Sequence, residues 1–479
     1  MTKRIISPIR PKICRRDFLR GSTAAGLSAA LIGGGAPVFE AKAANVSGYR
    51  ALVCLFFLGG LDCHDTLLPY DQTSYDQYAN LRASLLGFYG QAAGGSTRAR
   101  DRLLRLDPAN AADFGSREFA LPPELAQIHS LFQSGDAAIV ANVGPLLEPL
   151  TRAEWEAGTA RTPAQLFSHN DQQSTWMSSS PEGAQFGWGG RFGDAVLASN
   201  ANFLPDFTAI TSLGNELFLT GEVTRPYQIG LDGATEVALL DLFEASRGTA
   251  DGEARYQILR DHLTAANFSS ANLIERDIAA ALSGSLELNE SFNAARENLT
   301  PFSVAFPPTQ LGGQLNAIAE TISLRTEFGA NRQIFFAAIG GFDTHSNQAN
   351  DMPALQSEID GAVAAFVAAM QEINTFNDVT LFTAADFGRT LAINGDGTDH
   401  GWGSHHFVVG GGVNGGVIYG DPPPPVFDHD FDSGGGRLIP ATSVEQFAAP
   451  MGRWFGLTEG ELAAALPNLA NFSAGPAIL

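Results

Sequence analysis

Short apolar runs separated by amphipathic stretches set the rhythm of this chain. Residues 51–58 are uninterrupted apolar side chains, the mark of a strand buried on both faces as in a parallel sheet. Similar runs recur at 137–143, 333–339, 379–383 and 407–409. Between them, apolar positions at helical spacing predict helices at 254–282, 310–327 and 354–373, with two closing helices near 443–455 and 458–466. Strands alternating with helices define an α/β fold, a mostly parallel central sheet with helices on both faces. The interval 235–330 is helix-rich and poor in strand signals. It reads as a helical insertion or cap on one large domain, residues 44–479. Four prolines at 422–425 make a stiff turn.

The first 43 residues differ in kind. Arg15-Arg16-Asp17-Phe18-Leu19-Arg20 precedes a weakly apolar stretch, 21–38, and then Ala41-Lys42-Ala43. Positive start, apolar middle and small-residue end form a twin-arginine signal peptide. The expected partner is the twin-arginine translocase, which exports folded chains, and the expected location is periplasmic or extracellular. The stretch is glycine-rich and short of the ~20 strongly apolar residues of a membrane span. No later run approaches that length, so no transmembrane segment is expected after cleavage.

Formal charge is −22, and removing residues 1–43 takes away eight basic and two acidic side chains, leaving a more acidic chain still. Such a surface argues against nucleic acid or anionic lipid as partners and suits cations. Cys54 and Cys63 lie along an extended stretch, too far apart to bridge.

A seven-residue echo points to the chemistry. Leu58-Gly59-Gly60-Leu61-Asp62-Cys63-His64 follows the first strand, and Ile339-Gly340-Gly341-Phe342-Asp343-Thr344-His345 follows a later one. Both fall at strand carboxyl ends, where open α/β sheets bind ligands. The 379–383 run leads to Asp386-Phe387-Gly388-Arg389, then to Asp399-His400 and His405-His406. Aspartate and imidazole together are the donor set of zinc or manganese sites. The expected ligands are therefore Asp62, His64, Asp343, His345, Asp386, His400 and His405. His405 and His406 point to opposite faces of a strand, so at most one of them serves. Arg389 suits substrate oxyanions. Bland readings stand beside these: Asp62 and Asp343 as turn caps, Asp386 as an ion pair with Arg389, Asp428-His429-Asp430 as a solvated turn. The polar segment from Phe167 to Trp176 offers His169 as a ligand and Ser168, Ser174 or Thr175 as a nucleophile, with no adjacent base.

Together the twin-arginine start, Gly59-Gly60-Leu61-Asp62, Phe342-Asp343-Thr344-His345, Asp386-Phe387-Gly388-Arg389-Thr390, Gly397-Thr398-Asp399-His400-Gly401 and Gly410-Gly411-Gly412-Val413-Asn414-Gly415-Gly416 resemble the bacterial exported family called domain of unknown function 1501. That family is grouped by fold with alkaline phosphatases and sulfatases. The resemblance implies a divalent-metal cleft at the strand ends, with Asp62, Asp343 and His345 matching superfamily ligands. The chain departs from the superfamily's Asp-His-Gly at Asp386-Phe387-Gly388, leaving an imidazole to come from His400, His405 or His406. It also lacks the sulfatase Cys-x-Pro-x-Arg, since Cys63 is followed by His64-Asp65-Thr66. The expectation is an exported metal-dependent hydrolase of phosphate or sulfate esters, its substrate a small molecule or glycan ester. The competing expectation is a non-catalytic envelope protein that binds a glycan or a partner.

Overall fold

The computed structural model describes residues 43–479, apart from Asn215 and residues 236–239, 241–246 and 266–271. The expected signal peptide, apart from Ala43, and part of the expected 254–282 helix lie outside the described residues. In chain order the main strands are β1 (Arg50–Phe57), β2 (Ala137–Gly144), β3 (Ala209–Thr211), β4 (Tyr227–Gly230), β5 (Arg332–Ile339), β6 (Val379–Ala385) and β7 (Ser404–Val409). Across the sheet the order is Ile418–Tyr419, β2, β7, β6, β1, β5, β3, β4, Gly233–Ala234. The first strand in sequence is thus central. It runs parallel to β5 on one side and β6 on the other. Within this order only β7 and the Gly233–Ala234 strand run against their neighbours.

The uninterrupted run of β1 feeds two cores by alternation. Val53, Leu55 and Phe57 enter one, with helices α1 (Ala126–Ser134), α6 (Gln310–Ser323) and α7 (Gln348–Glu372). Leu52, Cys54 and Phe56 enter the other, with α3 (Trp188–Ala198), α8 (Val444–Phe455) and α9 (Glu459–Ala465). Each fully buried Leu or Phe contributes about 1.5–3 kcal/mol, so this strand outweighs any surface ion pair in holding the sheet together. Capping boxes, Ser443 with Gln446 and Thr458 with Glu461, start the last two helices. Helix α6 packs on β5 and α7 and belongs to the sheet's covering layer. Within the interval 235–330, helix α4 (Ala250–Ala265) packs against α5 (Leu273–Arg296). Cys54 and Cys63 are both free and buried. Among the described residues no helix is long and apolar enough to cross a membrane.

Glycines let the loops at the strand ends nest. Gly59 and Gly60 hold φ of +114° and +91°. A Cβ on Gly59 would lie 2.3 Å from the Asp343 nitrogen, and one on Gly60 2.4 Å from the Phe387 ring. The tightest approach concerns Gly388, whose Cβ would meet the Gly403 carbonyl oxygen at 1.9 Å. Gly388→Ala should therefore lower stability by about 1–3 kcal/mol through backbone displacement. A urea midpoint equal to wild type would show that the two loops are not rigidly nested.

Candidate functional site

Three strand ends and one helix start converge. The loop after β5 carries Asp343 and His345, and the loop after β6 carries Asp386. A hairpin, Arg389–Asn394 with Gly397–His400, sets His400 directly across from Arg389. Helix α2 (His169–Ser178) begins at the same place and supplies His169. Among the described residues His169, Asp343 and His400 form the one group able to hold a metal ion, with ligand atoms within 4.8 Å of one another.

Each imidazole is anchored by Nδ1 and turns Nε2 toward Asp343. Nδ1 of His169 meets Asp386 Oδ2 at 2.6 Å, and its Nε2 is 3.4 Å from Asp343 Oδ2. His400 Nδ1 lies 2.8 Å from the Phe167 carbonyl oxygen, which only accepts, so the proton sits on Nδ1 and the lone pair on Nε2. That Nε2 is 3.1 Å from Asp343 Oδ1. His345 repeats the pattern, with Nδ1 3.2 Å from Asp399 Oδ1 and Nε2 3.2 Å from Asp343 Oδ1. His345 Nε2 and His400 Nε2 are 2.9 Å apart. Phe387 is a floor for two of the rings, with centroids 4.8 Å from His169 and 4.6 Å from His400. Phe167 holds φ at +72°, a left-handed conformation costly for a non-glycine residue, while its carbonyl anchors His400.

Charge follows from these contacts. The Asp386 hydrogen bond raises the His169 pKa, whereas burial lowers that of His400. Burial pulls Asp343 upward, but the Arg389 hydrogen bond and charge prevail and hold it below the usual carboxylate range.

Several expected site residues turn out to be supports. Asp62 is buried, paired with both terminal nitrogens of Arg82 at 2.7 and 3.1 Å, and it accepts from Gln348 Nε2 at 2.6 Å and the His64 N–H at 3.1 Å. These four donors leave it no role as a ligand, and it caps the turn after β1, the bland reading. His64 is buried with Nε2 3.2 Å from the Gly436 oxygen, and burial pushes its pKa down to about 3. His405 is buried too. Its Nδ1 accepts the Asn142 N–H at 2.9 Å, and burial lowers its pKa to about 4. His406 faces the opposite core, beside Trp176. Asp386 tethers a neighbouring imidazole: its Oδ2 meets His169 and accepts from the Gly59 N–H at 3.1 Å and Gln173 Nε2 at 3.0 Å. Oδ1 of Asp386 is buried with no hydrogen-bond partner among the described residues.

Arg389 is fully buried and pairs with Asp343 at 2.8 Å, not with Asp386; its remaining contacts are Gly59 O, Thr398 Oγ1 and Thr398 O. It positions Asp343 and has no reach toward a substrate. Thr175 donates to the Asp171 carbonyl at 2.7 Å and is buried, and Ser168 donates to Asp171 Oδ2 at 3.0 Å. Neither hydroxyl is presented as a nucleophile. Asp343, His345 and His400 lie together, with His169 beside them. Its signal was an imidazole at a helix start, a pattern that a merely polar cap also produces. Asp399, missed as a partner, anchors His345.

An open recess of about 380 Å³ adjoins His345 and His400. A larger cavity of about 600 Å³ lies between residues 230–235 and 293–302. Its one cation, Arg296, is engaged by Glu320 at 2.6 Å and by the carbonyls of Leu231 and Asp232, so the larger space carries no comparable chemistry.

The family model described as "protein of unknown function (DUF1501)" matches residues 49–465, and the chain belongs to that family. No curated protein matches the sequence. Among solved structures the chain is similar to the PsFucS1 sulfatase from Pseudoalteromonas sp., at 9% identity and TM-score 0.34, covering 86% of this chain and 68% of that one. It is also similar to Ps i-CgsB in complex with k-i-k-neocarrahexaose, at 11% and 0.32, covering 87% and 74%. The lipoteichoic acid synthase LtaP from Listeria monocytogenes matches at 8% and 0.28, covering 88% and 76%. Superpositions this loose transfer no residue role.

Proposed function

We propose that the protein is an exported, metal-dependent hydrolase of phosphate or sulfate esters, with zinc or manganese held by His169, Asp343 and His400 and with His345 beside them. The supporting observation is the common orientation of three imidazoles, each tethered at Nδ1 and each turning Nε2 to one carboxylate. Tethering by a carboxylate or carbonyl is how metal-ligating histidines are fixed in tautomer and direction. Two lone-pair nitrogens 2.9 Å apart repel unless a proton or cation lies with them. The orphaned oxygen of Asp386 adds negative potential. Imidazole with carboxylate suits zinc first and manganese next.

When bound, such an ion supplies the Lewis acid for ester cleavage. The protein's own residues do the rest. Asp386 and the Phe167 carbonyl hold two imidazoles, Arg389 holds Asp343, and the engaged hydroxyls of Ser168 and Thr175 leave solvent water as the attacking group. The twin-arginine pattern and small-residue end within residues 1–43 support export by that route.

Elemental analysis of protein purified without added metal tests this reading. About one equivalent of zinc or manganese is expected in wild type and in Asp62→Asn. Asp343→Ala and His400→Ala should each lose at least about tenfold in affinity. A folded wild type that carries no metal, and takes up none from micromolar zinc or manganese, overturns the hydrolase and leaves the non-catalytic envelope protein.

A further inference from the structure

The recess beside His345 and His400 is built for a ligand in its own right. Its walls are Trp155, Phe167, Asp399, Ser433 and Arg437. Arg437 is the informative residue. Its Nε donates to the His400 carbonyl at 2.9 Å and its Nη1 to the Gly434 carbonyl at 2.9 Å. The guanidinium lies over the Phe167 ring, 5.4 Å from the centroid. No carboxylate pairs with it among the described residues, in a chain of formal charge −22. An arginine fixed by two carbonyls and a ring, and left without an anion, has a terminal nitrogen to offer to one. Arg389, the expected oxyanion holder, is buried and engaged with Asp343, so this task falls to Arg437.

The aromatic walls define the rest. Trp155 is half-buried, tilted on Trp402 at 5.5 Å, with its Nε1–H donating to the Ser433 carbonyl at 3.2 Å. Its polar edge is therefore satisfied, and what remains for a ligand is ring surface. Phe167, half-buried, is the second such wall. A recess of about 380 Å³ with two aromatic walls and one placed cation is at the lower end of small-molecule sites, which run about 300–1,000 Å³.

We propose that this recess is the substrate pocket of the adjoining His/Asp cluster, and that it selects monoesters whose alcohol is a ring, the ring against Trp155 and Phe167 and the anionic oxygens on Arg437. The proposal rests on the hydrolase reading for its chemistry, but its binding test does not.

Titrations with phenyl phosphate, ethyl phosphate and inorganic phosphate, followed by tryptophan fluorescence and calorimetry, decide it, with metal content measured on the same samples. Phenyl phosphate should bind at least about tenfold tighter than ethyl phosphate, the discrimination one buried ring supplies. Trp155→Leu should bring phenyl phosphate down to the level of ethyl phosphate while leaving inorganic phosphate unchanged. Arg437→Gln should weaken all three about tenfold or more, with partial recovery in Arg437→Lys. If loss of the tether to His400 unfolds Arg437→Gln, the lysine variant and Trp155→Leu carry the decision. Equal affinity for the two esters, no binding of any probe, or variants indistinguishable from wild type overturns the pocket. Metal-free samples that keep the ring preference retain the pocket and remove the hydrolase.

Discussion

Arg82→Met should lower the unfolding free energy by about 3–5 kcal/mol, a large part of the stability of any domain. Arg82 and Asp62 are both fully buried and share two hydrogen bonds; Arg82 also donates to the carbonyls of Leu391 at 3.1 Å and Thr390 at 2.8 Å. Burial alone raises the Asp62 pKa, but the charge and hydrogen bonds of Arg82 bring it below the usual range. Take the guanidinium away and a carboxylate is left in a dry interior with only Gln348 and one backbone N–H. Most of the cost is that stranded charge, not the worth of the pair. Asp62→Asn placed on top of Arg82→Met should therefore restore about 2 kcal/mol, a strong coupling in a double-mutant cycle. Denaturant unfolding of the four proteins measures it. Additive losses would mean that water reaches Asp62.

Acid should be the second large perturbation. Burial pushes His64 and His406 down to about 3 and His405 to about 4, against an ordinary 6.5. Below the ordinary value the unfolded chain takes up protons that the folded chain refuses. Stability is thus complete above about pH 6.5, falls as pH drops, and levels off only when the buried rings protonate as well. Each histidine can contribute about 1.4 kcal/mol per pH unit in that window. Asp65, Glu216, Asp360 and Glu445, whose carboxyls burial pushes up, bind protons earlier in the folded state and soften the loss. Moving from about pH 7 to about pH 4.5 should still remove several kcal/mol. His406 makes a clean control, because it packs on Trp176 and Phe447 with an unpartnered Nε2. His406→Phe should keep the packing and reduce the acid loss by about 1–3 kcal/mol. Melting temperatures equal at the two pH values would refute the whole account.

The sheet was legible because its strands are buried on both faces and so read as unbroken apolar runs. β3 and β4 were not, being three and four residues long at the sheet's flank, too short to show a period. The twin Gly-Gly-x-Asp-x-His motifs are legible as turns, but spacing does not tell that the first buries its Asp and His while the second brings them to the imidazole cluster. Both leave neighbouring parallel strands by a glycine turn. The partners that retire Asp62 from ligand duty arrive from 20 and 286 residues away, as Arg82 and Gln348. No local pattern reports them. Asp343 escapes because its buried arginine takes one oxygen and leaves the other facing His169. Arg437 was silent for a related reason: its meaning lies in a ring stacked across 270 positions and in the absence of a carboxylate, and sequence spacing displays neither.

The central place of β1 has a consequence in time. During synthesis this strand emerges first, yet the strands that flank it, β5 and β6, begin about 280 and 330 residues later. At ordinary elongation rates of about 5–20 residues per second, that is a wait of roughly 15–65 s with no native partner on either side. Eight residues of high β-propensity would spend it unpaired, in the kind of segment that self-associates. Contacts this distant in sequence also slow folding once the chain is complete. The nascent chain is therefore a natural client for a holding chaperone, and its yield should depend on how long β1 is shielded more than on the stability of the finished sheet.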